Sequence, residues 1–265
     1  RKLSPQLKQD TIISYIFLLP AFAFFIIFVL FPILRGVYVS FFDYGLRKFN
    51  FIGLGNYIRL FQDPVFLKSL LNTFILVVGT VPLILIFSIF VAANIYTKKP
   101  AVRSFFRGVF YLPAVSSIVS ITVVWGWIYH PLYGILNYVL MFLGLIQEPI
   151  AWLGDPTYAL GAVTAVLLTT SVGQPIVLYT ASLGNIPTSM IEAAEIDGAS
   201  NWQVFRYIKW PALLPTTLYI LIISTINSFQ CFSLIQLLTA GGPNFATSTI
   251  MYLVYERSFT LYQFG

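Results

Sequence analysis

The sequence predicts an all-α polytopic membrane protein, and three observations carry that expectation. Of its 265 residues, 58% are hydrophobic and only 9% are charged. Apolar runs recur that exceed what a soluble core helix needs, each at or above the ~20 residues that cross a bilayer. No Asp, Glu, Lys or Arg interrupts those runs.

The segments run from Thr11 to Leu34, Leu70 to Tyr96, Val109 to Tyr129, Thr157 to Ile186 and Pro211 to Leu238. The first begins like a signal peptide, but its apolar run is too long and has no small-residue cleavage site, so an uncleaved anchor is expected. Beyond the fifth, Gly241, Gly242, Pro243 and Asn244 predict a water-exposed loop. Glu256 and Arg257 then mark a short amphipathic helix and not a sixth span.

Basic residues set the orientation. Arg1, Lys2 and Lys8 precede the first span, Lys98, Lys99, Arg103 and Arg107 follow the second, and Arg206 and Lys209 precede the fifth. Placing these inside leaves the loop from Pro131 to Pro156, which has no Lys or Arg, outside, together with Arg35, Arg47, Lys48, Arg59, Lys68 and Arg257. The larger group decides for an inside N-terminus. Net charge of +6 is then accounted for by inner-face loops near anionic lipid and implies no nucleic-acid partner.

Composition also excludes functions. The single cysteine, Cys231, rules out a disulfide framework, and one histidine, His130, beside nine scattered acids leaves few metal ligands. Phosphate-loop, dinucleotide-binding, zinc-protease and nucleophile-elbow motifs are all missing. Without an ionisable residue at membrane depth, an ion-coupled pump or proton relay is also disfavoured. The chain is not expected to be an enzyme, to bind a metal or to hold a cofactor of its own.

The most informative stretch is the polar island SMIEAAEIDGASNWQVFRYIKWPALLP, from Ser189 to Pro215. Glu192, Glu195 and Asp197 fall on a short helix, Gly198 ends it, and a second amphipathic helix leads into the span at Pro211. Ser189 three residues before Glu192, and Ser200 three before Gln203, each fit a capping box. Trp202, Phe205 and Ile208 share one face of the second helix. The aromatic pair serves either as headgroup anchors or as part of a docking surface. The three acids invite a partner with Arg or Lys in its socket.

These residues resemble the EAA motif of membrane subunits of binding-protein-dependent ABC importers. Glu192, Ala193, Ala194, Asp197, Gly198, Ala199, Phe205, Ile208, Pro211 and Pro215 stand in the family's spacing, with Trp210 where the family usually has leucine. The stretches FPILRGVYVSFFDY, FIGLGNYIRLFQDPVFLKSLLNTF, FRGVFYLPAVSS and LLTAGGPNFATSTIMYLVYERSF are similar to the first permease of carbohydrate importers of the maltose and glycerol-phosphate kind.

The resemblance implies a type I ABC importer permease fold, with residues 1–265 as one transmembrane permease domain and 187–210 as its cytoplasmic coupling-helix loop. It implies a second permease, two ATPase subunits that carry the ATP and Mg, an extracytoplasmic substrate-binding protein, a sugar or related polyol as substrate, and a bacterial or archaeal inner membrane. Family members continue into another span after the YERSF region, so a truncated chain is expected. Glu192, Ala193, Ala194, Asp197, Gly198, Trp202 and Phe205 become the residues that couple to the ATPase. Glu192 is open to two readings, its own helix cap or the acid that meets a basic ATPase residue.

For the substrate path, Ser224, Asn227, Ser228 and Cys231 make one face of the fifth span polar, with Gln230 nearby. That face turns into the bundle, either for helix packing or toward a wet cavity. Thr169, Thr170, Ser171, Gly173 and Gln174, followed by Pro175, form a matching set in the fourth span. By resemblance both stretches line the sugar site, although Ser171 and Gln174 replace aromatic residues there, which leaves open a main site in the partner permease. Phe229 or Phe232 is the expected source of stacking on a sugar face. Uncharged amides and hydroxyls suit a neutral polyol. A secondary carrier, working without ATP, is the alternative, although it would have no use for the acidic island.

Overall fold

A computed structural model describes residues 5–45 and 48–263. Arg1, Lys2, Arg47 and Gly265 lie outside the described residues, as does the side chain of Lys8. The chain divides into two compact units, Arg1–Asp63 with Arg257–Gly265, and Pro64–Glu256.

In the first unit, α1 (Pro5–Phe25), a π-helical turn (Ile26–Leu30) and α2 (Phe31–Val39) form one long apolar helix. The turn widens just before Pro32, which has no N–H for the carbonyl four residues back, and Phe31 instead donates to the Ile26 carbonyl. Two short strands follow, β1 (Phe42–Gly45) and β2 (Lys48–Phe51), antiparallel with Phe42 opposite Phe51 and Tyr44 opposite Phe49. This small hairpin is absent from the all-helical expectation. Phe42 stacks on Phe49 with centroids 4.4 Å apart. From α3 (Gly55–Gln62), Asn56 Nδ2 donates to the carbonyls of Ser40 at 3.0 Å and Phe42 at 2.8 Å, binding the hairpin's root to the helix. Arg257 pairs with Asp63, so one of the basic residues placed outside has a structural employment.

The second unit is built on α4 (Pro64–Tyr96), which packs against the helices of the fourth and fifth spans. The expected third span is not one helix. It is α5 (Pro100–Val115) and α6 (Ile118–Ile128), bent by 99° at Ser116 and Ser117. Pro113 cannot donate to the Val109 carbonyl and weakens the last turn of α5, and at the helix end Ser116 Oγ donates to the Leu112 carbonyl at 2.8 Å. After α7 (Ile135–Phe142), the outer loop is tied by Asn137. Its amide donates to Pro131 O and Ile150 O and accepts from Ile150 N and Trp152 Nε1. His130 takes part in that loop, with Nδ1 accepting from Leu132 N at 3.2 Å.

The fourth span is α8 (Pro156–Ser171) and α9 (Gly173–Gly184), bent by 42°. The break falls at Val172 because Pro175 cannot donate to Ser171, four residues before it. Then come α10 (Thr188–Ile196), α11 (Asn201–Val204), a second π-helical turn (Phe205–Lys209) and α12 (Trp210–Phe229). From Asn201 to Phe229 this is one continuous helix of 29 residues, not a separate amphipathic helix that meets a span at Pro211. The wide turn again stops just before a proline, Pro211, and Trp210 donates to the Phe205 carbonyl. The helix ends at Phe229, earlier than expected, and α13 (Ser233–Leu238) begins after a break. Among the described residues, three helices are long and apolar enough to cross a membrane, or up to five spans with each bent pair counted as one.

One apolar core lies among α4, α9 and α12, around Ile84, Ile176, Tyr179, Leu183, Leu213 and Ile220. A second gathers Leu76, Val163, Val166, Leu234 and Ile235. The glycine-rich loop after α13 is water-exposed only in part: Asn244 is exposed, but Gly241 is buried, and Thr247, Ser248 and Thr249 beyond it are fully buried. A polar face at the start of α4 explains this. Lys68 Nζ donates to Asn244 O at 2.6 Å, Asn72 Nδ2 to Phe245 O at 2.8 Å and Ser248 O at 3.0 Å, and Ser69 Oγ meets Ser248 Oγ at 2.8 Å. The loop leads to α14 (Ile250–Tyr255), whose Tyr252 ring covers Gly241 so closely that a Cβ there would lie 2.4 Å from Cε1. Burial pushes the Tyr252 phenol up from its ordinary value, and the Glu256 carboxylate adds to that.

Candidate functional site

Two features stand on the same 29-residue helix, an exposed elbow at its start and a polar cavity near its far end. The elbow begins at Pro187, which caps α10 without a side-chain hydrogen bond. The helix thus starts ahead of Ser189, whose capping box with Glu192 does not form. Pro187 sets the boundary because its ring favours an extended residue before it and fits the start of a helix after it. Glu192, in the body of α10 and exposed, is therefore not its own helix cap.

Gly198 closes α10 in the left-handed region, with φ +81°. Gly198 N donates to Glu195 O at 3.1 Å and Ala199 N to Ala194 O at 2.9 Å, the paired bonds of a Schellman cap. Ala194 and Ala199 are thus the two ends of the cap's longer bond, where small apolar residues let the turn close. The second box forms as expected. Ser200 N donates to Gln203 Oε1 at 2.7 Å and Gln203 N to Ser200 Oγ at 3.3 Å. Glycine corner and capping box together make this a defined bend between two helices.

Glu192, Ala193, Glu195, Asp197 and Gly198 are exposed, and Ala194 is half-buried. Among the described residues none of the three carboxylates is held by an ion pair. Ile196 is 86% exposed, an apolar side chain standing free among the acids. Sequence reasoning missed Ile196. The signal was its place one turn beyond Glu192, while Ile191 is the apolar residue of α10 that packs on the core. Trp202 and Phe205 stack with centroids 5.8 Å apart, and Ile208 packs against the core of α4, α9 and α12. The expected shared face thus exists at Trp202 and Phe205.

The elbow is braced from behind. Ser182 Oγ on α9 and Thr216 Oγ1 on α12 lie 2.7 Å apart, and Tyr179 Oη donates to Thr217 Oγ1 at 3.1 Å. The helix entering the elbow and the helix leaving it are stitched together by these side-chain bonds between spans.

Farther along, a cavity of about 200 Å³ opens between α5, the bend of the fourth span and α12. Thr170, Ser171, Gln174, Tyr219, Ser224 and Asn227 face it, with apolar walls from Leu178 and Ile223. Four of the residues expected on the substrate path, Thr170, Gln174, Ser224 and Asn227, are thus brought together. The other four are not. Thr169 Oγ1 donates back to Val166 O at 2.7 Å. Gly173 is a packing residue: a Cβ there would sit 2.5 Å from Phe110 O and 2.9 Å from Tyr111 Cα, so it lets α9 cross α5 at backbone contact. Ser228 is buried with Oγ 3.2 Å from Thr80 Oγ1, a bond between spans. Cys231 lies beyond the helix end in the second core, where its carbonyl accepts from Thr249 Oγ1 at 3.1 Å.

The aromatic wall also differs. Phe232 pairs with Tyr255, centroids 4.5 Å apart, and Phe229 does not line the cavity. Tyr219 does, one turn before Ile223 and two before Asn227, a periodicity that would have revealed it. The cavity has amides, hydroxyls and a phenol, and no ionisable acid or base among its lining residues apart from that phenol.

Residues 52–264 match the family described as binding-protein-dependent transport system inner membrane component. The lactose transport system permease protein LacF of Rhizobium radiobacter is 35% identical over 93% of this chain and 83% of its own length. The probable ABC transporter permease protein YurN of Bacillus subtilis is 36% identical over 96% and 87%. The diacetylchitobiose uptake system permease protein NgcF of Streptomyces coelicolor is 34% identical over 92% and 72%. In fold, the chain is similar to a bacterial ABC transporter involved in the import of the acidic polysaccharide alginate. The TM-score is 0.81 at 24% identity, over 98% of this chain and 88% of that one.

Proposed function

The chain belongs to the family of binding-protein-dependent transport system inner membrane components, and from that membership we propose that it is the membrane subunit of an ATP-driven carbohydrate importer. It works beside a second permease and two ATPase subunits that hold ATP and Mg, and it receives sugar from an extracytoplasmic binding protein. The elbow from Pro187 to Trp210 is its coupling segment on the cytoplasmic side, and the N-terminus shares that side. The cavity of Thr170, Gln174, Tyr219, Ser224 and Asn227 forms part of the path for a neutral sugar or polyol.

The observation that carries this reading is the exposed Ile196 set among Glu192, Glu195 and Asp197 on a braced, capped helix. An apolar knob ringed by carboxylates suits a cleft with an apolar floor and a basic rim. Closure of an ATPase dimer on ATP would displace such an elbow as a stiff body, and the helix from Asn201 carries the displacement to the cavity. The lining has no cation to match a uronate, so neutral hydroxylated substrates fit it and acidic ones do not.

The test is purification of the assembled complex bearing Glu192→Lys or Ile196→Asp. The expected result is loss of the ATPase subunits from the complex, while sugar capture by the separate binding protein persists. Retention of the ATPases in normal amounts by both variants sinks the coupling assignment.

A further inference from the structure

A second concavity lies along α4, and its chemistry is opposite to that of the polar cavity. Leu85, Ile86, Ile89 and Phe90 line it from α4, and Trp202 and Trp210 from the long helix, around a volume of about 560 Å³. Ile86 and Phe90 are each 66% exposed and Trp202 is 69% exposed. The only amide and hydroxyl in its lining are turned away onto backbone. Asn94 Nδ2 donates to Phe90 O at 2.7 Å, and Thr217 Oγ1 donates to Leu213 O at 2.9 Å. What remains is a hydrocarbon trough.

Its length and ends suggest the occupant. From Pro82 to Asn94 the α4 axis advances roughly 18 Å, close to the hydrocarbon depth of one leaflet. Cations cluster at one end only. α4 finishes at Tyr96, and Lys98 and Lys99 follow within a turn. Arg206 lies in the wide turn midway between the trough residues Trp202 and Trp210, and Lys209 directly precedes Trp210. Trp202 stands at the charged end, where indole rings sit at a headgroup level, and Trp210 lines the trough about two turns further in.

We propose that this trough is a binding site for one anionic phospholipid, its acyl chain lying along α4 and its phosphate among Lys98, Arg206 and Lys209. The charge complementarity selects the headgroup, and the trough accepts the chain. The trough shares Trp202 and Trp210 with the proposed coupling segment, but lipid quenching is read without sugar or ATP turnover, so its failure and that of the transport reading are distinguishable.

Fluorescence quenching in the assembled transporter tests it, with Trp202 and Trp210 as internal probes. The complex is placed in nanodiscs titrated with phosphatidylglycerol or phosphatidylcholine brominated on the acyl chain, and Trp202→Phe and Trp210→Phe variants identify the trough signal. Brominated phosphatidylglycerol is expected to half-quench that signal at a mole fraction at least about fivefold lower, since one cation near a membrane surface contributes about that factor. The triple variant Lys98→Gln, Arg206→Gln, Lys209→Gln is expected to erase the preference and leave quenching by phosphatidylcholine unchanged. Ala93→Phe, which fills the trough, should weaken quenching by both lipids. Equal quenching by the two lipids in the unaltered complex would mean ordinary boundary lipid and overturn the proposal. Absence of any trough signal, as when a helix of the second permease covers the site, overturns it as well.

Discussion

Ser182 and Thr216 meet hydroxyl to hydroxyl at 2.7 Å, joining the helix that enters the elbow to the one that leaves it. Removing either hydroxyl loosens this tie and leaves the two helices held by the Tyr179–Thr217 bond and their shared core. Ser182→Ala and Thr216→Val, made singly and together, are expected to show a coupling energy of about 0.6–1 kcal/mol in a double-mutant cycle on unfolding in mixed micelles. In the assembled complex the double variant should hydrolyse ATP with a smaller sugar-stimulated fraction. A cycle that closes at zero would mean that the contact contributes nothing to the brace.

Gly198 has open space where a Cβ would go, so its substitution isolates the cost of a left-handed backbone. Gly198→Ala is expected to lose about 1 kcal/mol, and Gly198→Asn less, because asparagine tolerates that region. Sugar-stimulated hydrolysis should fall in the order Gly, Asn, Ala. An alanine variant with undiminished stimulation would show that the corner is not mechanically important.

At Gly173 the cost comes from crowding and not from backbone conformation. A methyl group would press on the Phe110 carbonyl at 2.5 Å. Gly173→Ala is expected to destabilise the fold by about 3 kcal/mol, seen as a large drop in thermal midpoint in detergent. Ser228→Ala, which removes one bond to Thr80, should cost about 1 kcal/mol and leave half-maximal sugar concentration unchanged.

The cavity assignment makes a contrasting set. Asn227→Ala and Gln174→Ala are each expected to raise the sugar concentration for half-maximal ATPase stimulation about tenfold, the worth of one hydrogen bond of about 1–1.5 kcal/mol. Tyr219→Ala should do likewise through lost stacking. Phe229→Ala, outside the cavity, should have no such effect. If Phe229 matters and Tyr219 does not, the wall has been placed on the wrong face.

Most of the apolar segments and the glycine corner were legible because each depends on local chemistry. Span length follows from a run of apolar residues, and Gly198 from the need for a positive φ. What escaped was everything set by a distant partner. The loop that holds Ser248 is tied down by Lys68, Ser69 and Asn72, more than 170 residues away in sequence. Gly173 looked like part of a polar site, although its role is to admit the Phe110 backbone. Cys231 fitted a helical spacing, but the helix had already ended at Phe229. Ser189 fitted a capping pattern that Pro187 pre-empted. Periodicity extrapolates a helix through its own breaks, and only the fold reveals where it stops.

The unbroken helix from Asn201 to Phe229 has a further consequence. Its 26 residues between Asn201 and Asn227 extend roughly 39 Å, so a tilt of about 10° about the inner end sweeps the amide of Asn227 through about 7 Å. That sweep is more than twice the length of a hydrogen bond, about 2.9 Å. On the proposed assignment, nucleotide state at one end and sugar occupancy of the cavity at the other would act on a single angular coordinate. Thermodynamic reciprocity then follows: whatever factor ATP imposes on sugar affinity through that angle, the sugar must return to ATP.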